Sequence, residues 1–126
     1  MIREHSEVVI LRPSQFAAGA TAYCVLIDNQ SLGYLSNGGY LKILLTPGIH
    51  RISMPDLHTD LKITTENNKI SFVLFNVNLN YIAPIQTGSQ LLVDSNWSTG
   101  LKVLSEKEGL RMVKQLREAE LDDDCD

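Results

Sequence analysis

Four clusters of turn residues, Asp28-Asn29, Asn37-Gly38-Gly39, Pro47-Gly48 and Asn67-Asn68, punctuate the chain between short apolar runs. Asn, Asp and Gly tolerate positive φ and Pro pre-sets a turn, so each cluster bends the backbone where it stands. The pieces between them are dense in Val, Ile, Leu, Tyr and Phe, the residues that fit a pleated surface. Strands are expected at 7–12, 21–28, 31–35, 39–45, 48–54, 60–66, 69–78 and 101–105. The expected fold is mostly β, a compact antiparallel β-sandwich of seven to eight strands with one C-terminal amphipathic α-helix. The turns read as a meander, with Gly38-Gly39 and Pro47-Gly48 closing the two ends of strand 39–45 and setting its register against both sequence neighbours.

Period-two patterning assigns faces. In GYLKILL, Leu41, Ile43 and Leu45 share one face and Lys42 and Leu44 the other; in GIHRISM, His50, Ile52 and Met54 oppose Ile49, Arg51 and Ser53. In KISFVLFNVN both faces are apolar, so that strand is expected to be central in its sheet and covered on both sides.

The helix is signalled by Ser105 followed three residues later by Glu108, a capping box, ahead of Leu110, Val113, Leu116 and Leu121 with Met112 alongside. It is expected over about 105–120, packed across the sheet, or else offered to a partner's groove. Residues 79–100 carry Pro84 and Gly88 and read as a packed cover with a short edge strand near 90–94. The domain is expected to fill 1–121, with 122–126 as a flexible acidic tail.

At 126 residues the chain holds one sizeable core. A formal charge of −4 and a pI near 5.3 give no broad basic surface, so nucleic acid is not expected as a partner. Cys24, inside AYCVLI, reads as a buried thiol, and pairing with Cys125 in LDDDCD would have to tie down the tail. Apolar runs fall short of the roughly 20 residues that span a bilayer, and MIREHSEVVILRPSQ lacks a signal-peptide apolar region.

No catalytic residue, cofactor or metal site is implied. G-x-S-x-G, G-x-x-x-x-G-K, H-E-x-x-H and C-x-x-C are all missing. Asp56, His58 and Asp60 have the alternate spacing of a ligand cluster, but Pro55 breaks regular extension there. Ser36, His50 and Asp56 lack any oxyanion-hole context, and His5 and His50 read as structural. The exposed-aromatic set Tyr34, Tyr40, Tyr81 and Trp97 is the candidate contact surface for a ligand or partner, the alternative being core or cover positions.

The order of Arg12-Pro13, Asp28-Asn29, Gly33 to Tyr40, Pro47-Gly48 with His50, and Lys69 to Phe72 resembles the bacterial lipoprotein-like family called domain of unknown function 2846. The match spans about residues 7–78 and, more weakly, the EKEG opening of the helix. The hairpin logic is also similar to the PEGA module, a small extracytoplasmic β-sandwich. The resemblance implies a noncatalytic β-sandwich, secreted or lipid-anchored in the cell envelope, and transfers no site residues. The expected function is an envelope interaction or scaffold domain within a larger envelope or secretion assembly, with a protein partner. The alternative is an envelope glycan- or peptide-binding module. Periplasmic or outer-membrane-associated placement would require a leader and a lipid anchor upstream; without them a cytoplasmic adaptor becomes the better reading, and a small hydrolase ranks last.

Overall fold

The computed structural model describes residues 5–14, 22–76, 100–122 and 125. They form β1 (Ser6–Leu11), β2 (Tyr23–Ile27), β3 (Gln30–Leu35), β4 (Gly39–Leu45), β5 (Gly48–Met54), β6 (Thr59–Thr65), β7 (Ile70–Asn76), β8 (Gly100–Leu104), α1 (Glu106–Val113) and β9 (Arg117–Glu118). A five-stranded sheet in the order β8-β7-β1-β4-β9 faces a four-stranded sheet in the order β3-β2-β5-β6. The expected sandwich with one helix near the C-terminus is therefore the fold. Within it, β1–β7 and β4–β9 run parallel and the remaining ladders antiparallel.

The meander is corrected. Of the four turn clusters only Asp28-Asn29 closes a hairpin, with φ of 52° and 68°, the two left-handed residues that match the twist of paired strands. The other three are corners that carry the chain from one sheet to the other. At Asn37–Gly39 the turn amides bond to β1: Gly38 N donates to Arg12 O and Arg12 N to Gly39 O, both at 3.0 Å. β4 is thereby laid against β1, from Ser6↔Leu45 to Leu11↔Tyr40, and pairs with neither β3 nor β5. At Asn67-Asn68, Asn68 N donates to His5 O and His5 N to Asn67 Oδ1, which places β7 on the other side of β1. Turn chemistry bends the chain; the apolar edges of β1 decide where it lands.

Val8 and Ile10 of β1 enter the core between the sheets with Val25, Ile27, Leu32, Leu35, Leu41, Ile52, Met54, Ile63, Val73 and Phe75. Val9 and Leu11 point the other way and join Phe72 and Leu104 in a second apolar layer. β7 is covered on both faces, as its sequence implies, but it lies next to the edge strand β8 rather than at the centre. β1, buried on both faces, is the middle strand of the larger sheet.

α1 covers the second layer. Ser105 caps it, its Oγ accepting from Glu108 N at 3.2 Å. Gly109 is its buried residue and lies directly on the Phe72 ring. The helix ends at Val113, well short of 120. Gln115 and Leu116 close the last turn through bonds to Met112 O and Val113 O, and Arg117–Glu118 then pairs with Gly39–Tyr40. Met112, Val113 and Leu116 pack on the second layer, while Leu110 and Leu121 are exposed.

Two residues of the expected tail, Asp122 and Cys125, are tied to the sandwich. After β9 the chain crosses from β4 to the outer edge of β3, where Asp122 N donates to Leu32 O at 2.8 Å. Cys125 then forms a disulfide with Cys24 on the outer face of β2, beside Leu26. Cys24 is buried, as its setting suggests, but as half of a cystine rather than a free thiol. Residues 117–122 thus form a strap around the β3 edge of the sandwich, and the cystine holds Cys125 against β2. The expected edge strand near 90–94 lies outside the described residues.

Candidate functional site

The aromatic candidates do not gather. Tyr34 lies opposite Cys24 on the outer face of the four-stranded sheet and is 46% exposed. Tyr40 lies on the far side of the molecule, half-buried against the layer of Val9, Leu11 and Phe72. Tyr81 and Trp97 lie outside the described residues.

A polar constellation that the sequence did not single out forms where β5 passes the Asp28-Asn29 hairpin. His50 falls on the core face of β5 with Ile52 and Met54, so its ring needs buried partners. Its Nδ1 lies 2.6 Å from Asp28 Oδ2 and its Nε2 2.7 Å from Thr46 O. A carboxylate and a carbonyl only accept, so below the folded-state pKa of His50 an imidazolium donates from both ring nitrogens. Burial pushes the His50 pKa down, but the Asp28 and Thr46 hydrogen bonds and the Asp28 charge outweigh it and the net direction is up. The His50 hydrogen bond, aided by the Arg51 amide, holds the Asp28 carboxyl below its usual range, against a smaller opposing effect of burial. With both ring nitrogens engaged, His50 clips β5 to the β2–β3 turn. The signal was the placement of a histidine on an otherwise apolar strand face.

Asp60 pairs with Arg51 across the β5–β6 ladder. Asp56 sits in the single 3₁₀ turn Pro55–Leu57, and His58 ends that turn in left-handed backbone at φ 51°. Among the described residues no group of three or more His, Cys, Asp or Glu converges as metal ligands.

Arg12 is fully buried, and its Nη1 donates to Leu35 O at 2.8 Å. The guanidinium stands 5.2 Å from the Tyr23 ring centre and 5.8 Å from that of Phe75, rings that meet edge to face. Burial lowers its pKa, opposed by Tyr23, yet an arginine stays charged from any such starting point. The Arg-Pro end of the first strand is thus a cationic bolt joining β1, β2, β3 and β7.

Two clefts open along the strap. One cleft of about 420 Å³ is lined by Tyr34, Ser36 and Ala119–Asp122. Another of about 460 Å³ is lined by Ser31, Leu32, Ile43, Leu121 and Asp122.

Compared with known families, residues 3–88 match the model of DUF2846, described as a protein of unknown function. The chain belongs to the DUF2846 family. The DUF2846 match takes in β1 to β7, including Arg12, Asp28, His50 and Cys24; β8, α1, β9 and Cys125 lie beyond it. The strap therefore ties the DUF2846 segment to residues outside that match. No curated protein and no solved structure matches the chain.

Proposed function

We propose that this DUF2846 protein is a noncatalytic interaction or scaffold domain of the cell envelope, one component of a larger envelope or secretion assembly. The observation that carries the reading is the Cys24–Cys125 disulfide. Such bonds form and persist in oxidising compartments and are rare where glutathione and thioredoxin keep thiols reduced. Periplasmic or outer-membrane-associated placement agrees with that chemistry, through a lipid anchor upstream. No helix among the described residues is long and apolar enough to cross a membrane. The histidine and arginine best placed for chemistry, His50 and Arg12, are both committed to holding strands together. What remains for function is surface: sheet edges and the clefts along the strap.

Crosslinking in whole envelopes tests the proposal. Protein neighbours should be trapped with the oxidised chain; recovery only as a free monomer, or as a reduced cytoplasmic protein, would overturn it. The second reading, a glycan- or peptide-binding module, draws support from the exposure of Tyr34 beside an open cleft. Titration of Trp97 fluorescence with glycan fragments, alongside a Tyr34→Ala variant, distinguishes the two.

A further inference from the structure

The strap binds the sandwich as a guest strand would. Arg117 N donates to Gly38 O at 3.0 Å and Ala119 N to Tyr40 O at 2.8 Å, and Asp122 N then donates to Leu32 O at 2.8 Å. Alternate main-chain bonds to a sheet edge, with a pocket for the side chain between, are the means by which extended peptides join sheets. Ala119, itself one of those donors, packs its side chain against the main core, so the slot takes a small residue. Gly33 provides clearance: a Cβ there would meet Glu120 O and Leu41 Cδ2 at 3.1 Å.

The strap uses only part of the edge it lies on. β9 pairs with Gly39 and Tyr40, and among the described residues no strand pairs with the same side of β4 from Leu41 to Leu45. The cleft lined by Ser31, Leu32 and Ile43 opens along that stretch. Because β9 runs parallel to β4, a guest that continued straight on, instead of turning to Leu32 and Cys24, would gain ladder bonds the strap does not make.

We infer that the β4 edge is an acceptor for an extended peptide that copies the Arg117–Glu120 strap, with a small residue at the Ala119 position. The strap occupies that edge until a dithiol reductant opens the Cys24–Cys125 disulfide. This rests on the reading of the domain as an interaction module. In the opening step a thiolate of the reductant attacks one sulfur, and its second thiol resolves the mixed disulfide. Two electrons and two protons pass to the protein, Cys24 and Cys125 become thiols, and the reductant leaves as its own disulfide. The strap is then tethered only through its α1 end, which lowers its effective concentration at the edge.

The test uses the full chain, oxidised and reduced, and a labelled peptide that copies Leu116–Glu120 and continues in alternating valine and threonine. Binding should tighten by about tenfold or more on reduction, and equally in the Cys24→Ser, Cys125→Ser double variant without reductant. N-methylation at the alanine, which removes the donor to Tyr40 O, should abolish it. Hydrogen exchange should show the Arg117, Ala119 and Asp122 amides opening on reduction while those of β1 and β7 stay protected. Equal affinity in both redox states, indifference to N-methylation, or loss of protection throughout would overturn the acceptor site. So would strap-exchanged dimers that ignore the peptide. Neighbours still crosslinked in envelopes after such a result would leave the envelope reading standing without this site.

Discussion

Gly109 lies so close over Phe72 that a Cβ added to it would stand 2.0 Å from Phe72 Cγ. The absent side chain lets α1 settle onto the outer layer of the five-stranded sheet. Alanine would gain about 1 kcal/mol in helix propensity, but no real Cβ contact is that short and the helix would have to lift. Gly109→Ala is expected to destabilise the protein by about 1–3 kcal/mol net, read from urea midpoints. A stabilised variant would show that α1 is not seated on Phe72.

The His50–Asp28 pair sets two opposite pH dependences. His50 has its pKa raised above the usual 6.5, so its contribution is complete below that value and is lost as pH rises through the folded-state pKa. Asp28 has its pKa lowered from 3.8, so its contribution is present above that value and is lost as pH falls through the folded-state pKa. His50→Gln should therefore cost most in mildly acidic solution, about 1–2 kcal/mol after allowing for the half-exposed Asp28. The difference from the parent should shrink in alkaline solution. Urea midpoints across pH, with NMR titration of the His50 ring, check this.

Arg12→Met keeps the length of the side chain but removes the donor to Leu35 O and the cation between Tyr23 and Phe75. Leaving a buried carbonyl short of a partner and a slot poorly filled should cost about 2–4 kcal/mol. Thermal unfolding of the variant against the parent gives the answer. Arg12→Lys should recover part of the loss but not the planar stacking.

The disulfide joins residues 101 apart. Cys125→Ser should lower stability by about 2–4 kcal/mol, since the unfolded chain regains the freedom the bond removes. Thiol titration of the unfolded, unreduced protein should find no free cysteine.

Strand positions, the buried character of KISFVLFNVN and the Ser105 cap were legible because each depends on a few adjacent residues. Sheet membership was not. Asn37-Gly38-Gly39 and Asn67-Asn68 have the chemistry of hairpin turns, yet whether the chain returns beside the strand it left depends on β1, far away in sequence. The helix stripe ran on past Val113 because Leu116 and Leu121 keep the spacing, while the backbone of Arg117 is claimed by Gly38 O. The cystine was illegible for a related reason: nothing near Cys24 in sequence announces a partner arriving from the last residues. His50 is the exception, since its place on the Ile52–Met54 face already demanded a buried acceptor.

The central position of β1 also orders events in time. Its partners begin at Gly39 on one side and Ile70 on the other, so β1 has its second ladder only after most of the sandwich has followed it. Until β7 has emerged, VVIL is an apolar segment with an open edge, the kind of stretch that invites wrong pairing. A chain of this design depends on keeping the β1 segment apart from other chains until Ile70 and the strand it opens have followed.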